Sequence, residues 1–179
     1  MSKQKNLIAI IKEKALIRGP VQLASGQKSD FYIDLSKITF DAYGIGLISS
    51  LVIEEVKSWR SIQTVGGPAY GAIPIVSGVL TLLNESHWAM NGFFFRKEIK
   101  PHGKAELIEG HLNQGDKVIL VEDITTTGNS LMKVVEEVKK IAEIVQIISI
   151  VDRNQGAHKL FANQNLFFKS ILTVDQILY

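Results

Sequence analysis

Two adjacent carboxylates, Glu122 and Asp123, end an apolar run, Val118-Ile119-Leu120-Val121, and lead into Ile124-Thr125-Thr126-Thr127-Gly128-Asn129-Ser130. The threonines and Ser130 carry hydroxyl donors, and Gly128 lets a backbone approach closely. Beyond them Leu131, Val134, Val135, Val138 and Ile141 recur at helical spacing, with Lys and Glu between. The order is buried strand, acidic tip, hydroxyl-rich turn, helix. A turn entering a helix presents unpaired N–H groups and the positive end of the helix dipole, which suits a phosphate. Carboxylates beside a phosphate repel it, so they must face something else. Sugar hydroxyls are donors that a carboxylate accepts. The plainer reading is that Asp123 and the threonines only cap the helix.

A second cluster is cationic. Arg96, Lys97, Lys100 and Lys104, with His102, put four fixed charges and a titratable ring into nine residues broken by Pro101 and Gly103. Three readings stand side by side. The run is a solvated loop, or a nucleic-acid patch, or a mobile loop whose cations close over an anionic group, stabilise its charge and exclude water. A third feature is Asp152-Arg153. A guanidinium pairs with a carboxylate in a fork, so Arg153 is suited to reading one, and a surface salt bridge is the alternative. Phe93-Phe94-Phe95 reads as core rather than as a base-stacking platform.

The elements that must position these groups follow from periodicity. Residues 5–17 read as an amphipathic helix ended near Gly19-Pro20. Val21, Leu23, Phe31, Ile33 and Leu35 alternate around Ser25–Asp30, as a hairpin or two short strands that could cover a site. A helix is expected from Asp41 to about Trp59, a strand over Ile62–Val65, and a glycine-rich loop from Gly66 into a helix from about Pro74 to Leu83. His87–Phe95 reads as a strand, and Glu106–Ile108 as a short one pairing with Lys117–Val121 or its neighbours. Val145–Val151, a short helix, a strand around Leu166–Leu172 and a terminal helix from about Val174 complete the chain. Alternating strands and helices give an α/β fold with a twisted, mainly parallel sheet, whose ligands bind at the carboxyl ends of the strands.

Composition sets bounds. A chain of 179 residues, 46% apolar and 21% charged, suits a single domain spanning 1–179. A net charge of +2 argues against broad nucleic-acid binding. With no cysteine there is neither disulfide nor thiolate chemistry, and four scattered histidines make no structural zinc site, so no protein-held metal is expected. The first apolar stretch is interrupted by Lys12-Glu13-Lys14, and Gly71–Leu83 is too short to cross a bilayer. A cytoplasmic protein without membrane contact is the expectation.

The run from Val118 to Ser130 resembles the phosphoribosyl pyrophosphate (PRPP) signature of the type I phosphoribosyltransferases, with Thr125 more polar than is usual there. Arg96-Lys97-Glu98-Ile99-Lys100-Pro101-His102-Gly103 is similar to the mobile catalytic loop of orotate phosphoribosyltransferases, as is the following Ile108-Glu109-Gly110. Ser25-Gly26 with Phe31-Tyr32-Ile33-Asp34 resembles that family's N-terminal hood. Gly67–Pro74 resembles its pyrophosphate-contacting loop, and Asp152-Arg153 with Gly156 the segment that reads orotate. The matches come in family order.

The resemblance implies a phosphoribosyltransferase fold with a hood built from about residues 1–40 and the C-terminal segment. It implies transfer of phosphoribose from PRPP to orotate, giving orotidine 5-phosphate and pyrophosphate in pyrimidine biosynthesis. By it Glu122 and Asp123 hold the ribose hydroxyls within a PRPP-binding stretch that continues through Ile124, Thr125, Thr126, Thr127, Gly128, Asn129 and Ser130 around the 5-phosphate. Thr126 and Arg153 contact orotate. Arg96, Lys97, Lys100 and His102 act on the pyrophosphate, with Lys100, His102 and Arg96 catalytic. Magnesium is carried mainly by the pyrophosphate, and a homodimer is implied in which the 96–104 loop reaches the neighbouring site. Many members carry lysine where this chain has Ala24 and Gly71; Lys28 lies close to the first of these. Transfer to a purine or another pyrimidine, and a non-catalytic PRPP-sensing regulator that binds nucleic acid, are the alternatives.

Overall fold

The computed structural model describes residues 2–22, 28–57, 61–85, 88–96 and 107–179. Lys97, Lys100, His102 and Lys104 lie outside the described residues, as do Ala24, Ser25-Gly26 and the expected strand and helix ends at His87, Trp59 and Glu106.

A six-stranded sheet has the order β5-β4-β3-β6-β7-β8, where β3 is Thr64–Pro68, β4 Asn91–Phe95, β5 Ile108–Gly110, β6 Lys117–Thr125, β7 Glu143–Asp152 and β8 Phe168–Thr173. All pairings are parallel except β4 with β5 at the edge. Helices α3 (Ala42–Val56), α4 (Ala72–Glu85), α5 (Asn129–Val138) and α6 (Ala157–Asn163) connect the strands. Strand β6 sits at the centre because its four residues Val118–Val121 are fully buried on both faces. Ile119 and Val121 enter one core with α3, α4 and the first helix, Lys3–Lys14, while Val118 and Leu120 enter the other with α5, α6 and Phe93. At about 1.5–3 kcal/mol per buried aliphatic side chain, these four alone outweigh any single surface contact.

Beside the sheet, α1 (Lys3–Lys14), the antiparallel hairpin β1 (Leu16–Gln22) and β2 (Lys28–Ile33), α2 (Ser36–Thr39) and the terminal α7 (Val174–Leu178) pack together. Chain ends meet here: Gln4 Nε2 donates to the Ile171 carbonyl and Arg18 to that of Leu178. Asp41 caps α3, accepting from Gly44 N–H at 2.9 Å, and Lys14 lies 2.6 Å from its other oxygen. The hydrogen bond from Lys14, then that from Gly44, hold the Asp41 carboxyl below its ordinary value.

Several expected boundaries move. The first helix stops at Lys14, not near Gly19, because Leu16–Arg18 pair with Phe31–Ile33 instead. Gly66 and Gly67 lie inside β3 rather than in a loop: a Cβ on Gly66 would come within 2.2 Å of the Phe93 ring, and one on Gly67 within 2.1 Å of the Val121 carbonyl oxygen. Helix α4 starts at Ala72, ahead of Pro74, and α5 ends at Val138, before Ile141. Strand β5 pairs with β4 and not with Lys117–Val121, whose two edges are already taken by β3 and β7. Strand β6 runs through both carboxylates to Thr125, so these are strand residues rather than a tip. Phe93 and Phe95 are core, as expected.

Candidate active site

Parallel pairing brings four segments to one end of the sheet. They are the turn after β3, the stem after β4, the loop after β6 and the turn after β7.

The geometry of the β6 loop is one that can receive an anion. Gly128 is the N-cap of α5; its φ of +86° is a left-handed conformation that L side chains rarely adopt, and a Cβ there would meet Phe161 at 2.9 Å. No side chain caps this helix. Asp123 is engaged elsewhere: its Oδ1 accepts the N–H of Ile124 at 2.7 Å. The capping reading of Asp123 therefore does not hold. Thr127 Oγ1 makes only a long contact of 3.5 Å with Asn129 N–H, which leaves the first N–H groups of the helix for an incoming acceptor. Thr127, Asn129 and Ser130 are exposed and Thr126 half-buried, so the loop presents its hydroxyls outward.

Of the two acids, Glu122 is buried within β6 beside Ser149, while Asp123 is half-buried and faces the turn after β3. A Cβ on Gly71 would fall 2.4 Å from Asp123 Cγ. Gly71 is thus the seat of this carboxylate, a contact invisible in the sequence because 52 positions separate the two residues. The same turn holds a cis Ala69–Tyr70 peptide and the exposed Tyr70.

Just past β7, Arg153 donates its backbone N–H to the Thr125 carbonyl at 2.9 Å, which ties the turn after β7 to the end of β6. Its guanidinium carbon lies 5.2 Å from the centre of the Phe31 ring. Its Nε is buried with no hydrogen-bond acceptor among the described residues. Sequence reasoning missed Phe31 as a support for Arg153, although its place in an alternating apolar strand two residues from Ile33 was visible.

The basic segment is represented by its stem. Phe95 pairs with Ile108, Arg96 N–H donates to the Leu107 carbonyl at 2.8 Å, and Arg96 forms an ion pair with Glu109. An anion reaching Arg96 would compete with Glu109. The structure thus brings Glu122, Asp123, Ile124, Thr125–Ser130, Arg153 and the Arg96 stem to one end of the sheet, while Lys97, Lys100 and His102 fall outside the described residues. Among the described residues no group of three or more His, Asp or Glu could hold a metal ion, and no helix is long and apolar enough to cross a membrane.

Residues 44–171 match the phosphoribosyl transferase domain family. The chain is 36% identical over 174 residues to the orotate phosphoribosyltransferase of Rhodopirellula baltica, covering 94% of this chain and 90% of that one. Its fold is similar to that of the Mycobacterium tuberculosis H37Rv orotate phosphoribosyltransferase, with a TM-score of 0.84 and 30% identity over 98% and 99% of the two chains. The same enzyme in complex with 5-phospho-alpha-D-ribosyl 1-diphosphate aligns with a TM-score of 0.81 and 27% identity, over 99% of this chain and 100% of that one. By its α/β sheet, its matched domain and these relatives, the chain belongs to the phosphoribosyltransferase family, on the orotate phosphoribosyltransferase branch.

Proposed function

We propose that the protein is an orotate phosphoribosyltransferase, joining the ribose C1 of PRPP to N1 of orotate and releasing pyrophosphate. The observation that carries the choice of base is Arg153, held over Phe31 with a buried Nε that has no acceptor among the described residues. A carboxylate supplies that acceptor and the matching fork. Orotate has one; purines and uracil do not.

Binding then divides by chemistry. Backbone N–H groups and hydroxyls from Thr125 to Ser130 take the 5-phosphate, Asp123 and Glu122 accept from the ribose hydroxyls, and Thr126 stands beside the base. The reaction needs no covalent nucleophile: positive charge grows on the ribose while the leaving group gains negative charge. Catalysis comes from orientation and from cations closing over the pyrophosphate. Arg96, Lys97, Lys100 and His102 are those cations in this reading. Magnesium supplies further charge neutralisation on the pyrophosphate. The carboxylate oxygens of Glu122 and Asp123 are of the hard-donor kind that such a cation takes. Cytoplasmic location, a single domain whose hood joins both chain ends, and a homodimer with the 96–104 loop serving the neighbouring site complete the proposal.

The test follows loss of orotate absorbance with PRPP and magnesium, with adenine, guanine, xanthine and uracil in parallel. Magnesium-dependent consumption of orotate alone is expected. Turnover of another base instead removes Arg153 as a carboxylate reader, and salt-sensitive nucleic-acid binding without any turnover points to a regulator. A second expectation concerns Asp123. Gly71→Ala must push its carboxylate aside, since no Cβ fits at 2.4 Å from Cγ. A misplacement of this size should lower kcat/KM for PRPP by about tenfold or more while changing the melting temperature little. Steady-state kinetics beside a thermal melt checks both.

A further inference from the structure

Asp152 has the least accessible carboxylate among the described residues, 1% exposed at the end of β7. One oxygen, Oδ1, accepts the N–H of Asn154 at 2.9 Å and so closes the turn around Arg153. Asn154 adopts φ +57° there and donates through Nδ2 to Asp175 of α7 at 2.7 Å. The other oxygen, Oδ2, accepts no hydrogen bond among the described residues and lies 3.6 Å from His158 Nε2 on α6. His158 is itself packed edge-on against Phe168, with ring centroids 4.7 Å apart. Thr125, the position paired with Asp152 on β6, is 3% exposed with an equally unpartnered Oγ1, and its carbonyl receives the Arg153 N–H. A buried carboxylate is costly to keep. Apolar packing at this strand end would be cheaper, and what the acid adds is a fixed geometry for the residue that follows it.

We infer that Asp152 is a positioning residue for Arg153: its buried carboxylate grips the Asn154 N–H with one oxygen, faces His158 with the other, and so sets the guanidinium over Phe31. The inference rests on Arg153 reading the base. Loosening this turn weakens the grip on orotate and leaves the phosphate loop and the leaving-group cations in place. The effect therefore falls on KM for orotate and not on kcat.

The experiment measures kcat and both Michaelis constants, with thermal midpoints, for Asp152→Ala, Asp152→Asn, His158→Ala, Arg153→Ala and the doubles of each with Arg153→Ala. Asp152→Ala is expected to raise KM for orotate about tenfold, with kcat and KM for PRPP within about twofold of wild type. Asp152→Asn keeps an acceptor for Asn154 and should bring KM back to within about threefold. In the Arg153→Ala background, Asp152→Ala should add nothing, because both act through one group. Full additivity in the double variant, or an unchanged KM for orotate in Asp152→Ala, overturns the inference. Should Asp152→Ala not fold, the exposed His158→Ala carries the test: a rise of about threefold in KM for orotate that disappears beside Arg153→Ala supports it, and no change overturns it. If Arg153→Ala itself leaves KM for orotate unchanged, the reading of the base fails first, which separates the two failures.

Discussion

Lys100→Ala is expected to lower kcat by about 10²–10³ while raising KM for PRPP by no more than about threefold, since a cation aimed at charge that develops in the transition state acts mainly on turnover. Pyrophosphate gains charge as the ribose bond breaks. An ammonium beside it is worth more then than in the ground state, before that charge has developed. The described residues that flank 97–106, Arg96 and Leu107, are joined by a backbone hydrogen bond at the same end of the sheet as the β6 loop. Single-turnover and steady-state rates at saturating PRPP measure the effect. Equal losses in kcat and in PRPP affinity would show that Lys100 merely binds.

Arg153→Ala carries the second large effect. Losing a charge-assisted pair of hydrogen bonds costs about 1.5–3 kcal/mol, or roughly 10- to 100-fold in KM for orotate. KM for PRPP should move little, because the phosphate loop is a separate contact on β6. Arg153→Lys keeps the charge but loses the fork and the buried Nε, so most of the defect should remain. The loss should also narrow the gap between orotate and uracil, since the carboxylate would no longer be recognised. Competition by uracil against orotate, measured in wild type and in Arg153→Ala, reads that gap directly; an unchanged gap contradicts the assignment.

Much of this site could be read along the chain because its parts are contiguous. The Val118–Ser130 run carries strand, acids and hydroxyl-rich loop in one stretch, and its hydrophobic run is what a strand buried on both faces requires. What escaped was either too short or spread across the fold. Helix α2 has four residues and no side-chain cap, below the length at which periodicity speaks. The carboxylates looked like a loop tip because their polarity ends the apolar run, yet β7 continues alongside and pairs β6 out to Thr125. Gly66 and Gly67 looked like turn residues, but their bareness serves close approach to Phe93 and Val121. The seating of Asp123 on Gly71, the ring of Phe31 beneath Arg153 and the Asp152–His158 contact join residues that only the sheet order brings together.

Because the β4–β5 stem holds the Arg96 N–H 2.8 Å from the Leu107 carbonyl, the two described residues that flank positions 97–106 share one anchor at the end of the sheet. Lengthening the chain between two such fixed points costs only about 0.6 kcal/mol for each doubling. Insertions between Arg96 and Leu107 should therefore leave the melting temperature nearly unchanged, so that any loss of rate they cause reports on catalysis and not on folding; a graded series of insertions, followed by thermal melts beside steady-state rates, would trace the separation.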